Sequence, residues 1–342
     1  MKIRNYLFTA LCFAVFCLGA CSNLGESDSQ GSININLGNP GARYAVNETG
    51  MIYTITLASP GKGTITKTTG ESSVTIAVPE GIWAIKVHAE GKRVTGDEKK
   101  IETVMVTAGK PASAKIEMKV TGTRVSSWSE LEEDFIEFNN ANGKLKDLDN
   151  IEIVAKNLDA SSSANILLNR ANKAITLWAK DNVTIKRKDD KGINVTVFTI
   201  TNGTLILDGT KGTITIKGNG KNSDCGRALI NVETNGILEM RDGTTLTDNH
   251  TTNYGGGVYV RDNGKFYMYG GTISGNKADN NGGGVYVRDS GIFTKTGGII
   301  YGTNGGDDGN VAPEGNGAAV YFSSSKKSET TLGKTDNWSN LN

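Results

Sequence analysis

The sequence predicts an all-β protein: a right-handed parallel β-helix preceded by a small β-sandwich, with one short capping helix between them. Three observations lead there. Glycine supplies 44 of 342 residues and proline only 5, with hydrophobics at 37% and aromatics at 7%, a balance that suits short strands and tight turns better than a large helical core. Apolar and polar residues alternate in short runs punctuated by Gly, Asn and Pro, which is strand patterning. The second half repeats itself, which points to stacked units.

Taken in chain order, the N-terminus reads as an address rather than a fold. Lys2 and Arg4 precede an apolar run from Tyr6 to Leu18, which is short for a membrane span and fits the hydrophobic region of a signal peptide. It ends in Leu18-Gly19-Ala20-Cys21, which resembles the bacterial lipobox. That resemblance implies a lipoprotein signal peptide over 1–20 and lipidation of Cys21. Residues 21–31 follow as a polar, flexible tether. Cys12 and Cys17 leave with the signal peptide and Cys21 is blocked by lipid, so Cys225 remains alone and no intramolecular disulfide is expected.

Residues 32–120 form the expected sandwich. In IWAIKVHA, Trp83, Ile85, Val87 and Ala89 alternate with Ile82, Ala84, Lys86 and His88; the wholly apolar set should face the core, which turns His88 to solvent. The stretch Val78-Pro79-Glu80-Gly81 with its following strand is similar to turns in bacterial Ig-like and transthyretin-like modules, a resemblance that implies a spacer. The domain 121–342 opens with a helix. Ser129 and Glu132 have capping-box spacing, and Leu131, Phe135 and Phe138 share one face; such a helix is expected to cover the open end of a repeat array.

The repeat is most visible in Gly255-Gly256-Gly257-Val258-Tyr259-Val260-Arg261-Asp262 and Gly282-Gly283-Gly284-Val285-Tyr286-Val287-Arg288-Asp289, at an offset of 282 − 255 = 27. Fainter copies begin at Phe198 and Ile230, and a last one holds Val320-Tyr321-Phe322, at an offset of 320 − 285 = 35. A unit this short, without a helix and with glycine corners, suits one turn of a parallel β-helix, and roughly seven rungs fit between Ile151 and the end. Three inward rows follow: Ile230/Val258/Val285/Val320, Val232/Val260/Val287/Phe322, and Leu238/Phe266/Phe293. Asn249 and Asn276 hold equivalent corners and are expected to form a structural asparagine ladder, since an amide both donates and accepts. Asp262 and Asp289 read as turn residues.

These repeats resemble those of the chlamydial polymorphic membrane proteins and of β-helix lipoproteins of spirochaetes, which pair a GGAI-like with an FxxN tetrapeptide. Here the first slot is Gly255–Val258 and Gly282–Val285; the second is Leu246–Asn249 and Ile273–Asn276, while Ile300–Thr303 lacks the asparagine. The resemblance implies a non-enzymatic, adhesin-like protein on the bacterial outer membrane, exposed at the cell surface. The chain leaves no room for a C-terminal membrane barrel, so the lipid on Cys21 is expected to anchor it.

Charge is balanced, 37 basic against 36 acidic residues, which argues against a nucleic-acid partner. Two histidines leave little for a histidine-based metal site or triad, and no catalytic residue, metal or cofactor is assigned. The alternative is a polysaccharide lyase or hydrolase of the pectate-lyase type, because fold alone does not decide function. It would need a carboxylate cluster, and the stacked set Arg261/Arg288 with Asp262/Asp289 alternates in sign and neutralises itself. Gly305–Asn310 is read as a solvated loop. The candidate recognition face is Tyr259, Tyr286 and Tyr321 with Arg261 and Arg288, all expected to point outward, with host matrix, a cell-surface glycan or a protein as partner.

Overall fold

The computed structural model describes residues 30–38, 50–160, 165–187, 195–218, 220 and 226–323. Cys21, the lipobox, most of the tether and Cys225 lie outside the described residues. The chain divides into two units, 1–121 and 122–342.

The first unit is built from two sheets. One has the strands Ser73–Pro79, Gln30–Leu37 and Pro111–Ile116 side by side. The other centres on Gly81–Glu90, which pairs antiparallel with Ile52–Ser59 on one side and with Val94–Glu98 and Glu102–Val106 on the other. Alternation decides which residues go inside: Trp83, Ile85, Val87 and Ala89 are completely buried, as are Ile33, Ile35, Ile55 and Leu57, whereas Ile82 is exposed. The Trp83 indole N–H, which could not be buried unpaired without cost, donates to the Pro79 carbonyl at 2.9 Å. His88 faces outward, with Nδ1 2.9 Å from Asp97 Oδ1.

The second unit is a β-solenoid made almost wholly of parallel strands. Its long sheet stacks Asn150–Ile153, Ile166–Ala179, Phe198–Asp208 and Ile230–Met240, then the pairs Val258–Val260 with Lys265–Met268 and Val285–Val287 with Ile292–Lys295, and finally Val320–Phe322. A second sheet stacks Asn157–Ala160, Val183–Arg187, Ile214–Lys217, Thr244–Thr247, Thr272–Ser274 and Ile299–Ile300. A short third one pairs His250–Thr251 with Lys277–Ala278. Equivalent residues Ile166, Phe198, Ile230, Val258, Val285 and Val320 are aligned in register. Among the described residues these six stacked positions make five complete turns, fewer than the seven rungs expected. The earlier turns are longer, with offsets of 198 − 166 = 32 and 230 − 198 = 32 against 285 − 258 = 27 later.

The three predicted rows stack in register and lie inside, and a fourth runs Leu177, Leu207, Met240, Met268. Phe266 and Phe293 stack with ring centroids 5.0 Å apart. Phe322, in the last strand, is only half-buried, since nothing described lies beyond it. The fourth row ends on Lys295, buried opposite Met268.

One helix, α1 (Trp128–Asn139), opens this unit. Its N-cap is Ser127, whose side chain accepts from the Glu130 N–H at 3.2 Å, while the Glu130 carboxylate takes the Ser126 N–H at 2.7 Å. The cap is thus Ser127 with Glu130, one pair earlier than the Ser129–Glu132 reading. Both Ser–Glu pairs have the same spacing, and the buried Trp128 ring decides between them, because burial on the apolar face requires it in the first turn. Leu131, Phe135 and Phe138 are buried, with Phe135 6.1 Å from Phe198 between centroids. At the other end, Asn139 donates to the Leu167 carbonyl at 2.7 Å and accepts from the Asn169 N–H at 2.8 Å. Its amide therefore stands in for a neighbouring strand along the edge of Ile166–Ala179, the kind of exposed edge that invites pairing with other chains.

Candidate recognition face

Alternation in the three-residue strands sends the central residue out between two inward ones. Register then stacks Asn231, Tyr259, Tyr286 and Tyr321 in one outward column. Ring centroids are 5.2 Å apart for Tyr259–Tyr286 and 5.7 Å for Tyr286–Tyr321, within the range of favourable aromatic pairs. The column is not open along its length. Tyr254, from the loop that precedes Gly255, lies over Tyr286 at 4.8 Å and 17° between planes, and leaves it 5% exposed. Burial pushes the Tyr286 phenol above its ordinary pKa. This corrects the expectation that all three tyrosines are exposed: Tyr286 is the covered centre, and Tyr254, Tyr259 and Tyr321 surround it.

The arginines stand two positions beyond the tyrosines, each just past the end of its strand. Arg261 is paired with the Glu233 carboxylate one turn away and with Asp262 at 2.9 Å, and its guanidinium carbon sits 5.9 Å from the Tyr259 ring centre. Arg288 pairs with Asp289 at 3.1 Å, and the Tyr259 hydroxyl beside it favours its charged form. Asp262 and Asp289 have φ of 50° and 54°, in the left-handed region that aspartate tolerates at turns. The carboxylates thus hold the turn and orient the arginines.

Beside Tyr259 the surface opens into a cleft of ≈ 370 Å³ whose lining includes Arg227, Asn231, Asn253, Tyr254, Tyr259 and Arg261. Asn253 fixes one wall by donating to the Gly226 carbonyl at 2.8 Å. Asn231 is 9% exposed, and its side-chain carbonyl oxygen has no hydrogen-bond partner. Neither the cleft nor Tyr254 was legible in the repeat. The position one repeat beyond Tyr254 (254 + 27) is Asn281, so no second copy flags the tyrosine.

A different asparagine set lies inside. Asn249, Asn276 and Asn310 are all completely buried. Asn276 Oδ1 accepts the Asn249 N–H at 3.2 Å, and Asn310 Oδ1 accepts the Asn276 N–H at 2.9 Å. The Asn249 amide donates to Gly256 O, and Asn276 to Leu246 O and Ser274 O. Below Asn249 the buried Arg187 guanidinium takes over, donating to Asn249 Oδ1. The reading of Gly305–Asn310 as a solvated loop holds for the exposed Gly306–Asp308 and fails at its end, where Asn310 is buried. A 3-10 turn over Thr303–Asp308 delays the asparagine, so the spacing grows from 276 − 249 = 27 to 310 − 276 = 34 and the third copy does not lack it. The glycine corner is tied to this ladder. A Cβ on Gly256 or Gly257 would first meet the backbone carbonyl of Gly283 or Gly284 on the next turn, and then the Asn276 Cβ at 2.9 Å or the Ile273 side chain at 3.0 Å. The two tetrapeptides therefore go together because one packs on the other.

The segment 270–288 matches the Chlamydia polymorphic membrane protein repeat. It spans Ile273–Asn276 and Gly282–Val285, one copy of each tetrapeptide, and ends within the tyrosine-arginine column at Arg288. No curated protein and no solved structure matches the chain.

Proposed function

We propose that this chain is a lipid-anchored protein of the bacterial outer membrane, exposed at the cell surface and adhesin-like rather than enzymatic. The observation that carries the reading is the match of 270–288 to the polymorphic membrane protein repeat, placed within a β-solenoid. Leu18-Gly19-Ala20-Cys21 supports the anchor; acyl chains on one residue hold it by additive burial of methylenes. In this reading the two-sheet unit is a spacer and the solenoid presents the face of Tyr254, Tyr259, Tyr321, Arg261 and Arg288. Tyrosine and arginine dominate binding hot spots elsewhere, and here stacking and ion pairs hold them in place before a partner arrives, which lowers the ordering cost of binding.

The test has three arms. Labelled palmitate enters the protein and Cys21→Ser abolishes the label; intact cells bind antibody against the solenoid; and beads coated with purified protein adhere to host cells or matrix. Unchanged label in Cys21→Ser, antibody access only after lysis, or beads that adhere no better than uncoated ones would each overturn the corresponding part.

A further inference from the structure

We propose that the cleft between Tyr254, Tyr259 and Asn231 binds a sugar unit that carries an acidic group. The inference rests on the reading of this face as a recognition surface and names its ligand class. Three independent features converge on it. The volume, ≈ 370 Å³, lies at the small end of ligand sites and suits one or two sugar rings. Tyr254 and Tyr259 line one side with their centroids 6.3 Å apart. The C–H faces of a pyranose are apolar and slightly positive, so they pack on the negative face of an aromatic ring.

The second feature is Asn231. It occupies the column position that tyrosine fills in the next three turns, so the missing ring leaves the space that becomes the cleft. Its carbonyl oxygen has no partner, a state that costs free energy in a folded protein and calls for explanation. Asparagine χ2 is a soft torsion, and a modest rotation turns the oxygen toward the cleft, where a sugar hydroxyl can donate to it. The third feature is charge. Arg261 is neutralised by Glu233 and Asp262, whereas the exposed Arg227 guanidinium has no ion-pair partner among the described residues. A carboxylate or sulfate on the sugar would meet that guanidinium in the charge-assisted geometry arginine favours.

The experiment is a glycan array of neutral, uronate-bearing, sialylated and sulfated glycans, probed with purified full chain, followed by calorimetry on the tightest glycan. The expected result is binding confined to acidic glycans, weakened at least tenfold by Arg227→Ala and by Asn231→Leu. Asn231→Leu serves as its own folding control: removing an unpaired buried carbonyl should leave the melting temperature unchanged or raised. Tyr254→Ala, which acts on the aromatic wall, should weaken binding as well. An array with no hits, hits restricted to neutral glycans, or binding retained in Asn231→Leu and Tyr254→Ala would overturn the proposal. Beads that still adhere to cells while the array is blank would sink the sugar assignment alone and leave the adhesive reading with a protein partner.

Discussion

Replacing Asn276 by alanine tests the internal ladder. Asn276 is completely buried. Truncation strips the Asn249 N–H of its acceptor at 3.2 Å and removes donors from Leu246 O and Ser274 O, each at 3.0 Å. Orphaning one buried N–H costs about 1–3 kcal/mol, and each lost hydrogen bond contributes about 1 kcal/mol more, so the total is about 3–5 kcal/mol. Urea denaturation followed by circular dichroism would read this as a clear fall in midpoint at unchanged slope. Thr296→Ala, at an exposed position of the same stack, is the control and should shift the stability by less than about 0.5 kcal/mol. If Asn276→Ala costs no more than that control, the buried amides are filler and the hydrogen-bond account of the repeat is wrong.

Two further outcomes follow from burial and charge. Val260→Asp places a carboxylate between Val232 and Val287, in a position with no solvent exposure, and should cost on the order of several kcal/mol; Tyr267→Asp, outward on the neighbouring strand, should cost much less, and equal melting temperatures would refute the inward assignment. The hydrogen bond to Asp97 raises the pKa of His88 against the opposing effect of burial, with Glu90 and Glu98 adding to the rise. A raised folded pKa means that the protonated ring stabilises the fold fully below its unfolded pKa near 6.5, and that this contribution is lost as pH rises through the folded value. His88→Gln should therefore lower stability more at about pH 5.5 than at about pH 8.5, and a gap that is constant or wider at the alkaline end would exclude the mechanism.

What could be read from the sequence was what the physics repeats. Val258, Val260, Val285 and Val287 alternate with tyrosines in two nearly identical copies, so inward rows and register were visible in the letters alone. Asn310 escaped because a local insertion changed the spacing while leaving the packing problem, a glycine corner over a buried amide, the same. Tyr254 and the unpaired Asn231 carbonyl escaped for the opposite reason. Each occurs once, and each matters through neighbours on other turns that only the stacking brings together. The helical segment visibly opens on Ser127, but the Ser129–Glu132 pair offers a capping box of the same spacing as Ser127–Glu130, and only the burial of Trp128 resolves the two.

The amide of Asn139 on the first long strand also bears on the order in which the solenoid assembles. Each new rung closes a loop of similar length, so every addition meets nearly the same entropic cost and needs only the previous rung as a template. The first long strand has one along only part of its length, where Thr176–Ala179 pairs with Asn150–Ile153; α1 covers the rest, with Phe135 against Phe198 and the Asn139 amide on the strand edge. Growth should then run from α1 toward Val320, in the direction in which the chain emerges during synthesis. At the far end the Leu177–Leu207–Met240–Met268 row passes to the buried Lys295, which breaks the wholly apolar column of the earlier turns. Hydrogen exchange should find protection highest near the helix and falling toward the end, a gradient along the stack rather than a single all-or-none opening.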